Sequence, residues 1–203
     1  MLTMRPPTQA AVLRFIQSLK DTPFTYDQVG MTTEKSMPSG FDVDKYQKAL
    51  GHGAETYNKA KDCIRRWLMF PPEMATLFWP DQSILVGAEV AVLFRAGPLW
   101  SLNPCRIVSR CEDEQSANQI HRFGFSYGTL AGHLECGEER FTVTWSPIDD
   151  SVYYELLAIS RPNHLLTKLG YPYARRVQAR FRRLSGESVS QAISCAATAV
   201  CRR

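Results

Sequence analysis

Residues 123–141, FGFSYGTLAGHLECGEERF, decide how the rest of the chain folds, because two strand-like runs meet here across a glycine-containing segment. Glycine takes positive φ without a steric cost, so Gly128, Gly132 and Gly137 indicate tight turns and close approaches of the backbone. One histidine and three glutamates share the same stretch. It therefore predicts an antiparallel hairpin with ionisable groups crowded near one turn.

Alternation with a period of two residues continues on both sides of this hairpin. In residues 139–145, ERFTVTW, three large apolar residues alternate with two threonines, which is the pattern of an antiparallel strand with one covered face. Turn residues bound six runs of this strand-like kind. They are TLFWP (76–80), SILVGAEVAVLFR (83–95), LNPCRIVSRCE (102–112), HRFGFSYGTL (121–130), ERFTVTW (139–145) and SVYYELLAIS (151–160).

Helical periodicity marks both ends of the chain. Residues 8–20 have apolar side chains at helical spacing, with Thr8 as the expected N-cap. Residues 54–70 predict an amphipathic helix that is stopped by Pro71-Pro72. A short helical segment, 164–169, precedes a longer helix from Pro172, whose apolar line is Tyr173, Val177, Phe181 and Leu184.

The order of these segments favours one α+β domain. Residues 44–50, DKYQKAL, fit a strand or a helix, and we interpret them as a strand. The predicted fold is a helix-grip: a curved antiparallel sheet of about six to seven strands wrapped around a long C-terminal helix, with N-terminal helices. Residues 1–193 are expected to form this domain and 194–203 a flexible tail. The space under the helix is either filled or opens as an apolar cavity, and the sequence leaves both open.

Composition excludes several classes of protein. The 203 residues carry a net charge of +4, and the chain has neither an apolar run long enough to span a membrane nor a signal-like start, so we expect a cytoplasmic protein. The six cysteines are scattered without a CxxC pair. The nearest metal-like grouping, His133 with Cys136, has two of the four ligands of a structural zinc site, so no metal and no cofactor are expected.

Four blocks of sequence resemble a known family. They are FTYDQVGMT (24–32), GHGAETYNKAKDCIRRW (51–67), NPCRIVSR (103–110) together with residues 123–141, and AISRP (158–162) followed by GYPYARRVQARF (170–181). This pattern, over roughly residues 24–190, resembles the family catalogued as domain of unknown function nineteen-ninety, which is uncharacterised. Its layout is similar to the START-like, Bet v 1-like superfamily of ligand-binding helix-grip domains. The resemblance implies the fold and carries over no catalytic residues.

The central turn offers one candidate for catalysis. A histidine beside carboxylates has its charged form favoured, so His133 with Glu138 or Glu139 suits a general acid and base in a small-molecule enzyme of hydrolase or cyclase type. Glutamates in such a turn also cap backbone NH groups or pair with arginines without any chemistry. Both interpretations remain open, and the catalytic residues are unknown.

A binding role is the first functional hypothesis. Tyr127 and Thr129 share one face of the predicted strand, and hydroxyl groups in an apolar cavity orient a ligand. The candidate polar contacts to an apolar small molecule or lipid are Arg106, Tyr127, Thr129, His133, Glu138 and Arg161. A buried core tyrosine with a satisfied hydroxyl is the alternative for Tyr127.

A basic helix supports a third hypothesis. Between Glu155 and Glu187 there are six arginines and one lysine but no carboxylate, and four of the arginines, Arg175, Arg176, Arg180 and Arg183, are candidates for phosphate or membrane contact. Since the chain has no recognised nucleic-acid fold, we expect no nucleic-acid partner but keep peripheral membrane contact as an alternative. The sequence does not predict an oligomeric state.

Overall fold

The computed structural model describes residues 2–34, 38–78, 84–115 and 120–200. Its helices are α1, Gln9–Gln17; α2, Gly53–Arg65; α3, Leu165–Leu169; and α4, Tyr171–Val200. Thr8 is the N-cap of α1, as predicted, and its Oγ1 accepts a hydrogen bond from the amide of Ala11. None of the described helices is both long enough and apolar enough to cross a membrane.

The described strands form one antiparallel sheet. They are β1, Leu2–Thr3; β2, Asp42–His52; β3, Ala75–Phe78; β4, Glu89–Ala96; β5, Leu99–Gln115; β6, His121–Thr129; β7, Glu135–Trp145; and β8, Ser151–Pro162. Seven of them lie in the order β2-β8-β7-β6-β5-β4-β3, and the two-residue β1 pairs with β5. The predicted α+β helix-grip fold is confirmed, with the first long strand beside the last.

The inner face of the sheet is covered by α2 and α4. Alternate strand residues point toward these helices and form one apolar core, in which the rings of Phe125 and Phe141 stack with centroids 5.5 Å apart. The hydroxyls of Tyr154 on β8 and Ser185 on α4 lie 2.6 Å apart and are both buried. This hydrogen bond fixes α4 against β8, the last strand of the chain.

The outer face of the sheet is covered by the N-terminal part of the chain. Val12 and Ile16 of α1 pack on apolar residues of β4 and β5. The segment 24–34 packs against β7 and β8 through Tyr26 and Met31. Both faces of the sheet are therefore buried over much of its area, which explains why β8 carries apolar residues on both sides.

Several element boundaries differ from the sequence predictions. Residues 44–50 form part of β2, as interpreted, but α2 ends at Arg65 rather than at Pro71-Pro72, because Trp67 adopts a left-handed φ of 59°. The strand predicted over 83–95 begins at Glu89. Helix α4 continues past residue 194, where a tail was predicted, since its last residues are rich in alanine, the strongest helix former.

Parts of three predicted features fall outside the described ranges. They are Trp79 and Pro80 of the first predicted strand, Ser83 of the second, and the last three residues of the predicted tail, 201–203. The glycines of the central stretch are described in full. Gly132 lies in the β6–β7 turn with φ 96°, whereas Gly128 and Gly137 lie within strands.

Candidate functional site

A pocket of about 330 Å³ lies between the inner face of the sheet and α4. Its wall is mostly apolar and comes from the ends of β4 and β8 and from the first half of α4, including Phe94, Ala158, Val177 and Phe181. This size and lining are those of a site for a small organic molecule. The space that the sequence left undecided is thus open at this end of the sheet and filled by the core elsewhere.

Tyr127 and Glu139 form a hydrogen-bonded polar pair in the pocket wall. They lie opposite each other on β6 and β7, and Tyr127 Oη donates a hydrogen bond of 2.5 Å to Glu139 Oε2. Burial raises the pKa of Glu139 to about 7, although the Tyr127 hydroxyl and Arg182 act in the opposite direction. Glu139 therefore gains and loses a proton near neutral pH, which suits both ligand recognition and proton transfer.

A charged cluster beside this pair joins β2 to α4. Both oxygens of Asp44 accept hydrogen bonds from Arg175, at 2.6 and 2.7 Å, and Arg182 Nη1 lies 3.0 Å from Asp44 Oδ2. Asp44 and Arg182 line the pocket. The pKa of Arg175 is raised, chiefly by its hydrogen bond to Asp44, whereas burial lowers the pKa of Arg182.

His133 and Glu135 lie at the β6–β7 turn and also line the pocket. His133 Nδ1 lies 2.9 Å from the Glu135 amide nitrogen and 3.0 Å from the Glu135 carbonyl oxygen, so it accepts from the amide in one tautomer and donates to the carbonyl in the other. Burial lowers the pKa of His133 to about 4 and raises that of Glu135 to about 7. The prediction of a histidine with its charged form favoured is wrong, because desolvation outweighs any neighbouring carboxylate.

Glu138 has a structural role on the outer face of the sheet. Its two oxygens accept four hydrogen bonds, from Tyr26 Oη, the Gly30 amide, and the amide and hydroxyl of Thr32, at distances of 2.5 to 3.0 Å. The side chain is 2 % exposed. Glu138 thus anchors the segment 24–34 to β7, and its oxygens are occupied. Of the two glutamates in the catalytic hypothesis, Glu139 is the one that faces the pocket with acceptor capacity left.

The other predicted ligand contacts fall into two groups. Thr129 is among the residues that line the pocket, but its hydroxyl is engaged elsewhere: Oγ1 accepts a hydrogen bond of 2.9 Å from the Gly137 amide and lies 2.5 Å from Thr25 Oγ1 on the segment 24–34. Arg106 and Arg161 do not line it. Arg106 donates to the carbonyls of Leu19 and Lys20 after α1, and the Arg161 guanidinium lies over the ring of Phe41 at 4.6 Å.

The four arginines predicted for phosphate contact are also divided by the structure. Arg175 is held by Asp44, as described above. Arg176, Arg180 and Arg183 are exposed on α4, and Arg183 pairs with Glu187 four residues further along the helix. Arg176 and Arg180 make no ion pair within the described part of the chain. They are therefore the two of this set that are free to meet an external anion.

Sequence reasoning missed three groups of the site: Asp44, Glu135 and Arg182. Asp44 could have been found, because it shares the inward-facing side of β2 with Tyr46, where a carboxylate needs a partner. Arg182 was seen only as one arginine among several, since nothing local indicates which of them turns inward. Among the described residues, no group of three or more His, Cys, Asp and Glu side chains is arranged to hold a metal ion.

Comparison with known proteins places this chain in a family. A model described as a domain of unknown function, DUF1990, matches residues 25–188. The chain belongs to this family. A UPF0548 protein of Dictyostelium discoideum is 32 % identical over 196 residues, which covers 89 % of this chain and 90 % of the relative. A UPF0548 protein of Deinococcus radiodurans is 27 % identical over 203 residues, which covers 96 % of this chain and 100 % of the relative.

Solved structures share the fold of this DUF1990 member at low sequence identity. A hypothetical protein from Helicobacter pylori matches with a TM-score of 0.52 and 9 % identity, over 83 % of this chain and 95 % of that one. A major latex-like protein from Panax ginseng matches with a TM-score of 0.47 and 10 % identity, over 74 % and 96 %. The first likeness supports the helix-grip architecture and says nothing about activity.

Proposed function

We propose that this protein binds an apolar small molecule, or the acyl part of a lipid, in the pocket between the sheet and α4. The observation that carries the proposal is a mostly apolar pocket of about 330 Å³ that also holds the Tyr127–Glu139 pair. An apolar wall provides affinity in proportion to the area it removes from water. A few polar groups at one point fix the orientation of the ligand.

A pair of tryptophan substitutions on α4 tests this proposal. Ala174 lines the pocket, so we expect Ala174→Trp to fill it and to weaken binding of the neutral fluorescent probe N-phenyl-1-naphthylamine at least tenfold. Ala179 is exposed on the same helix and does not line the pocket, so Ala179→Trp is the matched control and should bind like the wild type. Equal binding by both variants, or no binding by the wild type, would contradict the proposal.

A second candidate function is contact with an anionic membrane surface. The exposed side chains of Leu165 and Leu169 lie one turn apart on α3, and those of Tyr173, Arg176 and Arg180 follow at intervals of three and four on α4. The three apolar residues are 67 %, 75 % and 57 % exposed, and Tyr173 also lines the pocket. A surface that is apolar at one end and basic at the other matches the interface of an anionic bilayer.

Liposome flotation distinguishes this surface from an inert one. We expect binding to vesicles containing phosphatidylserine and weaker binding after Leu165→Ser with Leu169→Ser, or after Arg176→Ala with Arg180→Ala. Each arginine near such a surface contributes about 1 kcal/mol, so the double arginine change should lower the partition constant about thirtyfold. Arg183→Ala is the control, because this arginine is already paired with Glu187. Flotation that is unaffected by both double changes would remove this candidate.

A further inference from the structure

The pocket wall has more acidic side chains than basic ones. Three carboxylates face it, those of Asp44, Glu135 and Glu139, whereas its lining includes a single guanidinium, that of Arg182. Asp44 already has two arginine partners. Glu135 and Glu139 make no ion pair with any side chain in the described ranges. The wall therefore lacks positive charge on the side formed by β7.

Glu135 and Glu139 both have carboxylate oxygens that accept no hydrogen bond from a described group. Glu139 receives the Tyr127 hydroxyl on Oε2, and neither Oε1 nor the carboxylate of Glu135 accepts a hydrogen bond from any described group. Glu138 differs, because both of its oxygens are occupied by neutral donors. Burial raises the pKa values of Glu135 and Glu139 to about 7, although the charges of Arg175 and Arg182 act in the opposite direction.

An amide on the sheet wall of the pocket also has an oxygen without a hydrogen-bond partner. Asn103 of β5 lines the pocket and is 6 % exposed. Its Nδ2 donates to the Val92 and Ser101 carbonyls and to Ser101 Oγ, whereas its Oδ1 accepts no hydrogen bond. Buried polar atoms in native proteins are nearly always paired, so an unpaired acceptor at a pocket wall points to a donor on the ligand.

We propose that the ligand of this pocket is an apolar molecule with a basic amine, and that Glu139 receives the ammonium group. The inference rests on the proposed function, because it names the polar end of the same ligand. An ammonium group brings three donors and a positive charge to carboxylate oxygens that are in no ion pair. A ligand ending in a carboxylate would instead be repelled by Glu135 and Glu139 in their ionised forms.

Three ligands of the same chain length test whether the pocket prefers an ammonium group to a neutral or an anionic one. Octylamine, octanol and octanoate differ only in their polar end, and isothermal titration calorimetry at pH 7 measures each dissociation constant. We expect octylamine to bind about tenfold more tightly than octanol and octanoate to bind most weakly. Glu139→Gln should reduce octylamine to the affinity of octanol and leave octanol unchanged. Glu155→Gln, on the neighbouring strand and outside this pocket, is the matched control and should change neither.

Proton release provides a second measurement that needs no variant. Since a bound ammonium group lowers the pKa of a neighbouring carboxyl, octylamine binding at pH 7 should release a fraction of a proton, read from heats in buffers of different ionisation enthalpy. Octanol should release none. Octanol binding as tightly as octylamine, or octanoate binding most tightly, would overturn the inference while the proposed function stands. Failure of all three ligands to bind would overturn both.

Discussion

At the scale of single residues, two adjacent glutamates have opposite roles because successive side chains of a strand point to opposite faces. Glu138 faces outward and anchors the N-terminal segment, while Glu139 faces the pocket and meets Tyr127. The sequence identified both as candidates, but it could not assign them. The assignment depends on the partners Tyr26 and Thr32, which are more than a hundred positions away in the chain.

We expect Glu138→Gln to destabilise the protein by about 2–4 kcal/mol, because it leaves buried donors facing an amide NH₂ group. Urea unfolding followed by tryptophan fluorescence measures the change. Glu73→Gln, at an exposed position with no side-chain hydrogen bond or ion pair to any described residue, is the control and should stay within about 0.5 kcal/mol of the wild type. Equal stabilities of the two variants would show that Glu138 does not anchor the segment 24–34.

At the scale of elements, the glycines of the central stretch show where local reasoning succeeds and where it stops. Gly132 is a turn residue, as its type predicts. Gly128 is instead a strand residue, and a Cβ there would overlap the hydroxyl of Tyr26 on the segment 24–34. The periodicity of apolar residues thus located the strands. It could not predict that the segment 24–34 packs on their outer face, because this packing depends on tertiary contacts and produces no periodic pattern in the sequence.

A double-mutant cycle tests this close approach. Gly128→Ala should cost about 1–3 kcal/mol, since the added methyl displaces the Tyr26 ring. The same change in a Tyr26→Phe background should cost less, because the overlapping hydroxyl is gone. Additive effects, measured by urea unfolding, would mean that Gly128 is required for some other reason.

At the scale of the whole molecule, the fold was predictable and the composition of the pocket was only partly so. The sequence of strand and helix patterns fixes a sheet wrapped on a C-terminal helix, because neighbouring strands in the chain pair in space. Tyr127, Thr129, His133 and Glu139 could be placed together since one hairpin holds them. Asp44 and Arg182 reach the pocket from the first long strand and the last helix, and no local pattern relates these two elements.

The shifted carboxyl group gives the stability of the whole protein a distinct dependence on pH. In the folded state the pKa of Glu139 is about 7, against an ordinary value of 4.5, so between these values the folded state binds more protons than the unfolded state. The stabilisation is complete below about pH 4.5 and is lost as the pH rises through about 7. His133, with its pKa lowered to about 4, acts in the opposite direction between about pH 4 and 6.5.

We therefore expect the free energy of unfolding of the wild type, relative to Glu139→Gln, to fall between pH 5 and pH 8. Comparison with the variant cancels the contribution of His133 and of every other group. Urea unfolding at four pH values gives the difference, and Glu73→Gln should show no such trend. A difference that rises or stays flat would mean that Glu139 does not titrate with a raised pKa.

The pairing of β2 with β8 has a further consequence, for the order of events during synthesis. Asp42 of β2 pairs with Ser160 of β8. During synthesis, β2 therefore has no pairing partner until β8, the last strand of the sheet, has been made. Contacts this distant in sequence slow folding and leave strand edges open to aggregation on the way. The pocket wall spans Asp44 to Arg182. A ligand can therefore bind only when the chain is almost complete, so it stabilises the folded state and does not affect the early steps of folding.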